Sequence, residues 1–245
     1  MQNSRIGTQR ALDSGAAVGR PVQTAMQKLR DCSERKLMNK KNYKPGIAST
    51  SVKYGKESVG ALNVTRINQL DPAQATGKTK QLFKTVQVQW GAVPNLFRVL
   101  GVAPAALEGY LHFGHALGGG SLSPRIREQI ALVVAEANFC GYCLSTHTFL
   151  GDKVGLTNTD IIDARHARAA DRKTDAILKL ARGIVVQRGE LNDADFEQAR
   201  ALGLTGGDVV ETVANVALNI FANYVNRAAR TAVDFPEVRP GEWST

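Results

Sequence analysis

The chain has 245 residues, of which 43% are hydrophobic, a normal share for a globular protein that builds its own core. Residues 1–62 contain 12 of the 31 Lys and Arg residues but only four of the 22 Asp and Glu residues. Residues 63–245 therefore contain 19 basic and 18 acidic residues. The main domain is therefore nearly neutral and lacks the basic footprint of a nucleic-acid-binding protein. Its apolar runs fall short of the roughly 20 residues that span a bilayer, so we expect a soluble, cytoplasmic protein with no membrane partner.

Residues 1–62 are predicted to form a disordered basic extension. They are rich in Gly, Ser, Lys, Asn and Gln and show no sustained apolar period. An Arg-rich, acid-poor N-terminus is also typical of an organelle transit peptide, and a start codon assigned too far upstream would give the same texture. These three interpretations stay open. Cys32 lies in this extension, and we assign it to no site.

The first predicted helices lie on either side of a loop. Residues 75–90 carry apolar side chains at helical spacing, and Gly91 ends the run. The segment around Pro94 is predicted to be a loop. It leads into a second helix over 104–117, in which Pro104 takes the first helical position.

A third helix and the helix that follows it contain the most informative residues of the chain. Ser123 and Pro124 supply a cap and a first helical residue, and an apolar face follows at Ile126, Ile130, Val133, Val134 and Ala137. The next helix is predicted over 140–154, with Asn138 as its N-cap.

Four more helices are predicted towards the C-terminus, over residues 160–168, 171–187, 193–201 and 208–231. The last begins with Asp208 and Glu211, which resemble a capping box. Its apolar stripe predicts a buried central helix: Val209, Val213, Val216, Ile220 and Tyr224. No useful strand alternation appears in the sequence, so the fold class is predicted to be all-α, a helical domain over 63–245.

Two of the three cysteines lie close to a histidine in the helix over 140–154. On a helix, Cys140 and Cys143 are neighbours at i,i+3, and Cys143 and His147 at i,i+4, so the three side chains share one stripe. A thiol pair beside an imidazole can carry out redox chemistry or bind a metal. A lone Cys-x-x-Cys pair in such a chain favours a reducing compartment over a secreted disulfide framework.

The redox interpretation has a definite chemistry. A helix N-terminus favours thiolates over thiols, and His147 can accept a proton. A Cys143 thiolate that attacks a peroxide becomes a sulfenic acid, and Cys140 can condense with it to a disulfide. A carboxylate must then orient His147. Glu136 is suitable if the helix is continuous through position 138, and Glu128 if the chain breaks there and folds back.

These residues resemble those of a known family. Glu128, eleven intervening residues and Cys140-x-x-Cys143-x-x-x-His147 match the pattern of the AhpD-like alkylhydroperoxidases, a branch of the carboxymuconolactone decarboxylase family. The resemblance covers roughly residues 63–245. It implies an all-helical fold that usually oligomerises, with peroxidase activity at the cysteine pair.

The resemblance also implies roles for the residues. Cys143 is expected to be peroxidatic, Cys140 resolving, and Glu128 a base that acts through His147. The implied partners are a small hydroperoxide and an external dithiol reductant, lipoyl or thioredoxin-like, with no metal, no organic cofactor and a homo-oligomeric assembly. One departure is Tyr142, which stands where the best-studied members have a histidine, and this removes a possible proton relay.

Three alternatives remain at this point. A zinc site would take its fourth ligand from one of three histidines, His112, His115 or His166. A helical binding protein would hold its cysteines as buried apolar residues. A decarboxylase or isomerase acting on a small lactone would share the fold. We expect His112 and His115 to be core or pocket-lining residues, and Tyr142 to line a substrate entrance or a surface or subunit interface.

Overall fold

The computed structural model describes residues 65–242. The predicted extension over 1–62, including Cys32, lies outside the described residues. Within 65–242 the chain forms helices and no strands, which confirms the all-α prediction. After a short 3₁₀ turn at Pro72–Gln74, the helices are α1 (Gly77–Trp90), α2 (Asn95–Leu100), α3 (Pro104–Gly118), α4 (Pro124–Ala137), α5 (Gly141–Lys153), α6 (Asn158–Arg165), α7 (Arg172–Val186), α8 (Asp193–Ala201) and α9 (Gly206–Ala229).

Local signals at the helix ends act as predicted. Gly91 closes α1 in the left-handed conformation, with φ at +75°. Pro104 lies in the first turn of α3. The Ser123 side chain accepts a hydrogen bond from the Ile126 amide and caps α4. Capping and stop residues therefore set these boundaries.

The predicted loop around Pro94 is partly wrong, because α2 begins directly after this proline. Six residues are too few to show a helical period in the sequence. Four of the six are buried, so the core rather than local preference stabilises this helix: Leu96, Phe97, Val99 and Leu100.

The start and the buried face of α9 also differ from the prediction. A capping box between Thr205 and Asp208 begins the helix, whereas Glu211 accepts hydrogen bonds from Ser121 and Leu122. Two members of the predicted apolar stripe are exposed: Val213 by 44% and Tyr224 by 59%. The buried face consists mainly of small and amide side chains: Thr212, Asn215, Val216, Asn219, Ala222, Asn223, Asn226 and Ala229.

Helix α4 lies at the centre of the domain and packs against α5, α6, α7 and α9. Its middle residues are almost completely buried: Ile130, Leu132, Val133 and Val134. This central position brings the end of α4 and the start of α5 beside the buried face of α9. In the described part of the chain, no helix combines the length and the apolarity needed to cross a membrane.

Candidate active site

The turn between α4 and α5 positions both cysteines. Phe139 adopts a left-handed φ of +52°, and the Cys140 amide donates back to the Ala135 carbonyl, which closes α4. Asn138 is the C-cap of α4, so its prediction as the N-cap of α5 is wrong. Cys140 is the N-cap instead, and its Sγ accepts a hydrogen bond from the Cys143 amide at 3.3 Å.

This reversal of the chain decides which carboxylate meets the imidazole. Glu128 Oε2 lies 2.8 Å from His147 Nδ1. Glu136, the other candidate, pairs with Arg165 at 2.9 Å and accepts a hydrogen bond from the Gly241 amide at 2.7 Å. The structure therefore brings Glu128, and not Glu136, to His147.

The two cysteines are free thiols in contact with each other. Their Sγ atoms are 2.6 Å apart, and the residues are 1% and 2% exposed for Cys140 and Cys143. Cys143 borders a cavity that is partly open to solvent, whereas Cys140 does not line it. Asn226 donates from Nδ2 to Cys143 Sγ at 3.3 Å.

The two sulfurs have opposite charge preferences. Hydrogen bonding to Cys143 is the largest influence on Cys140 and lowers its pKa, with the Cys143 amide and the positive Arg227 acting in the same direction. Burial raises the pKa of Cys143, and the contact with Cys140 raises it further. A single negative charge on the pair therefore rests preferentially on Cys140. The sequence predicted that the N-terminus of α5 would stabilise a thiolate, and this applies to Cys140 and not to Cys143.

The cavity beside Cys143 has a volume of about 320 Å³. Aromatic rings form much of its wall: Trp90, Phe97, Tyr110, Tyr142 and Phe235. Its polar groups include those of the predicted site and several that the sequence analysis did not identify: Arg127, Glu128, His147, Asn215, Asn219 and Asn226. An apolar cavity with a few convergent polar groups is typical of a small-molecule site.

Tyr142 lines this cavity rather than the outer surface. It is buried, its hydroxyl accepts a hydrogen bond from the Leu96 amide at 3.1 Å, and its ring packs edge-on against Phe235. Burial raises the pKa of Tyr142, so its phenol stays neutral. The residue that replaces a histidine in the family pattern is thus part of the pocket wall and an anchor for α2.

Sequence reasoning missed Tyr110 and the asparagines of α9. Burial raises the pKa of Tyr110, and the nearby Cys143 and Glu128 add to this, so the phenol remains a neutral hydrogen-bond donor. Asn215, Asn219 and Asn223 recur every four residues. That period was the available signal, because it places three amides on one face of α9.

The histidines proposed as zinc ligands do not gather at the cysteines. His112 and His166 are exposed, and His115 is an exposed residue at the cavity wall. Among residues 65–242, no three His, Cys, Asp or Glu side chains are arranged to hold a metal ion. A closed zinc site needs four ligands, so this alternative has no geometric support there.

Comparisons with known proteins agree with this architecture. The carboxymuconolactone decarboxylase family matches residues 104–185, which include α4, α5 and the complete set of Glu128, Cys140, Cys143 and His147. No curated protein matches the chain.

Solved structures with the same fold include three informative ones. One is a peroxidase-related protein with an alkylhydroperoxidase AhpD core from Ralstonia eutropha JMP134. It is 24% identical with a TM-score of 0.63, and the match covers 69% of this chain and 92% of that protein. A peroxidase-related protein from Silicibacter sp. TM1040 is 22% identical with a TM-score of 0.61, over 74% and 96%. The debrominase Bmp8, solved with 2,3,4-tribromopyrrole, is 16% identical with a TM-score of 0.60, over 73% and 94%. Residues 104–185 therefore match the carboxymuconolactone decarboxylase family, and the helical domain has the AhpD-like fold.

Proposed function

We propose that this protein is a thiol-dependent hydroperoxide reductase. The observation that carries the proposal is the position of Cys143, which borders an apolar cavity with Cys140 at 2.6 Å behind it. A nucleophile, a resolving thiol and a substrate space are thereby in contact. The Glu128–His147 pair lines the same cavity and adds a proton carrier.

The proposed cycle begins when the thiol pair gives one proton to His147, directly or through water. The Cys143 thiolate then attacks the terminal oxygen of ROOH, so that an S–O bond forms and the O–O bond breaks. Sulfur is oxidised by two electrons, the peroxide is reduced, and the alkoxide takes the proton from His147 to give ROH. The Cys140 thiol next displaces water from the Cys143 sulfenic acid and closes the disulfide.

The carboxylate of Glu128 has a positioning role in this cycle. The 2.8 Å contact with Nδ1 holds that nitrogen as the protonated one, which leaves Nε2 of the neutral ring as an acceptor. In the described part of the chain, no direct hydrogen bond joins His147 to Cys143, although both line the cavity. A substrate or water molecule between them completes the relay.

The substrate class follows from the cavity wall. Five aromatic side chains surround the space next to Cys143, so we expect organic hydroperoxides with an apolar body to react faster than hydrogen peroxide. An external dithiol, lipoyl or thioredoxin-like, regenerates the thiols by exchange. This cycle requires a reducing compartment, for which we propose the cytoplasm.

We also propose that the protein forms a homo-oligomer. Helix α3 is apolar yet buries only Leu107, and one face of α9 exposes Val210, Val213 and Tyr224. Exposed apolar patches of this kind typically mark interaction sites. In light scattering coupled to size exclusion, we expect an oligomer for the wild type and a smaller species for Val210→Glu. Val88→Glu, on the exposed side of α1, is the matched control, and a monomeric wild type would contradict the proposal.

A second candidate function uses the same sulfur chemistry. The debrominase Bmp8 shares the fold and was solved with a brominated pyrrole, and the aromatic cavity here is suited to a flat ring. Reductive dehalogenation would likewise convert the two thiols to a disulfide. A decarboxylase or isomerase reaction would instead rely on Glu128 and His147 and leave both thiols unchanged.

Thiol counting tests the proposal. The reduced, metal-free protein is titrated with cumene hydroperoxide, a bulky aromatic substrate, and its free thiols are counted by mass spectrometry. We expect three thiols to fall to one, with loss of two hydrogen atoms between Cys140 and Cys143. In Cys32→Ser, which removes the third thiol, the count should fall from two to none. Unreactive cysteines would contradict the proposal, and stoichiometric zinc in the purified protein would favour a metal site.

A further inference from the structure

We propose that Asn226 is a further catalytic residue, which with Asn223 stabilises negative charge on the Cys143 sulfur and so makes this cysteine the attacking one. The inference deepens the proposed function and rests on it. It assigns a purpose to two amide side chains on α9 that the family pattern of Glu128, Cys140, Cys143 and His147 does not include.

The Asn226 amide donates to the sulfur, and the Asn223 amide lies near it. Asn226 Nδ2 lies 3.3 Å from Cys143 Sγ, and both asparagines are almost fully buried. Asn138 donates to Asn223 Oδ1 at 3.1 Å, and the buried Asn223 Nδ2 has no hydrogen-bond partner within residues 65–242. The hydrogen bond from Asn226 and the nearby amide of Asn223 lower the pKa of Cys143 against the larger effects of burial and Cys140.

These amides matter because the sulfur that carries the charge is not the sulfur that borders the cavity. The charge of the thiol pair rests preferentially on Cys140, yet Cys143 is the sulfur that borders the cavity. Attack therefore requires a proton to move from Cys143 to Cys140 across the 2.6 Å contact. Hydrogen-bond donors that act on Cys143 stabilise the form with the thiolate on Cys143. They therefore reduce the free-energy difference between this form and the form with the thiolate on Cys140.

The other end of the Asn226 amide supports a catalytic role. Its Oδ1 is buried and has no hydrogen-bond partner in the described part of the chain. Asn226 also lines the cavity, and this acceptor belongs to the same amide that donates to Cys143 Sγ. A hydroperoxide is both an oxygen electrophile and an O–H donor, and it can give its hydrogen to Oδ1 while its terminal oxygen meets Sγ.

Two other asparagines on α9 show the ordinary use of such a residue. Asn215 and Asn219 donate from Nδ2 to the backbone carbonyl four residues earlier, at 2.8 and 2.9 Å. This bond satisfies the amide within its own helix. Asn226 directs its amide nitrogen to Cys143 instead, so helix formation alone does not account for it.

The test measures the Cys143 thiolate directly. In a Cys32→Ala, Cys140→Ser background Cys143 is the single thiol, and its ionisation is followed by absorbance and by alkylation rate against pH. Asn226→Leu removes the donor with little change in volume, and Asn226→Asp keeps the shape but presents a carboxylate. We expect the pH midpoint of Cys143 ionisation to rise by about one unit or more in Asn226→Leu. At a pH below the midpoint, this corresponds to a roughly tenfold loss of thiolate. The midpoint should rise further in Asn226→Asp.

The order of the two variants separates charge from packing. If Asn226 only filled space, the similarly sized Leu would leave the midpoint unchanged, and that result would overturn the proposal. Ala228→Leu, an exposed position on the same helix, is the matched control for an added leucine. With Cys140 restored, both Asn226 variants should lose at least tenfold in kcat with a smaller change in KM. A wild type that consumes no hydroperoxide refutes the proposed function, whereas an active wild type with an unchanged midpoint in Asn226→Leu refutes the role of Asn226 alone.

Discussion

Cys143→Ser is expected to abolish hydroperoxide reduction, whereas Cys140→Ser should permit one turnover and then stop. Cys143 is the sulfur at the cavity wall, and a serine hydroxyl cannot accept an oxygen atom from a peroxide. Without Cys140, residues 65–242 contain no second thiol for the Cys143 sulfenic acid, so the Cys140–Cys143 disulfide cannot close. The first variant therefore removes the nucleophile, and the second removes the resolving thiol.

Rapid-mixing kinetics and intact-mass analysis distinguish the two. Cys140→Ser should give a single burst of about one equivalent of ROH, and a dimedone adduct should map to Cys143. Cys143→Ser should give neither. A burst and an adduct at Cys140 in the Cys143→Ser protein would reverse the assignment, because Cys140 would then be the attacking sulfur.

Glu128→Gln provides the matched comparison for these variants. Glutamine keeps the size of the side chain and both sulfurs, but it removes the carboxylate that lies 2.8 Å from His147 Nδ1. We expect the same final thiol count after long exposure to hydroperoxide. The rate should be lower by a factor on the order of 10² or more, which is the usual contribution of general acid–base catalysis. Unchanged kinetics would remove Glu128 from the mechanism.

Local chemistry made much of the fold predictable. Gly91, Pro104 and the Ser123-Pro124 pair act within their own helix ends, so their effect can be deduced without the tertiary structure. Helix α2 could not be deduced in this way, because its stability comes from burial of its side chains in the core.

The choice between Glu128 and Glu136 depended on a tertiary feature. The reversal occurs at Phe139, whose left-handed φ of +52° is unusual for a bulky residue and has no signature in the sequence. Periodicity therefore allowed both carboxylates, and only the family pattern favoured Glu128. The structure agrees with that pattern.

The face of α9 was mispredicted for a different reason. Apolar periodicity indicates that a helix has an apolar side, but it does not distinguish the core from an outer surface. In α9 the buried side contains Asn215 and Asn219, whose amides satisfy backbone carbonyls of the same helix. The exposed side contains Val210 and Val213, which we propose to contact another subunit.

Glu136, which does not reach His147, has a structural position instead. Its carboxylate pairs with Arg165 Nε at 2.9 Å, and the side chains are 8% and 5% exposed. Its second oxygen accepts from the Gly241 amide, while Arg165 Nη2 donates to the Arg239 and Glu242 carbonyls. This buried pair therefore attaches the C-terminal segment to α4 and α6. The same segment contributes Phe235 to the cavity wall.

Glu136→Ala is accordingly expected to lower the free energy of unfolding by about 3–5 kcal/mol, because it removes the buried carboxylate that pairs with Arg165 and accepts from Gly241. For a domain of this size, that corresponds to a fall of roughly 6–20 °C in Tm. Glu197→Ala, which breaks the exposed pair with Arg200, is the control and should change stability by less than about 0.5 kcal/mol. Calorimetry measures both variants. Adding Arg165→Met to Glu136→Ala should recover part of the loss, since it also removes the buried guanidinium that has lost this carboxylate. If Glu136→Ala alone is as stable as the control, the pair does not anchor the C-terminal segment.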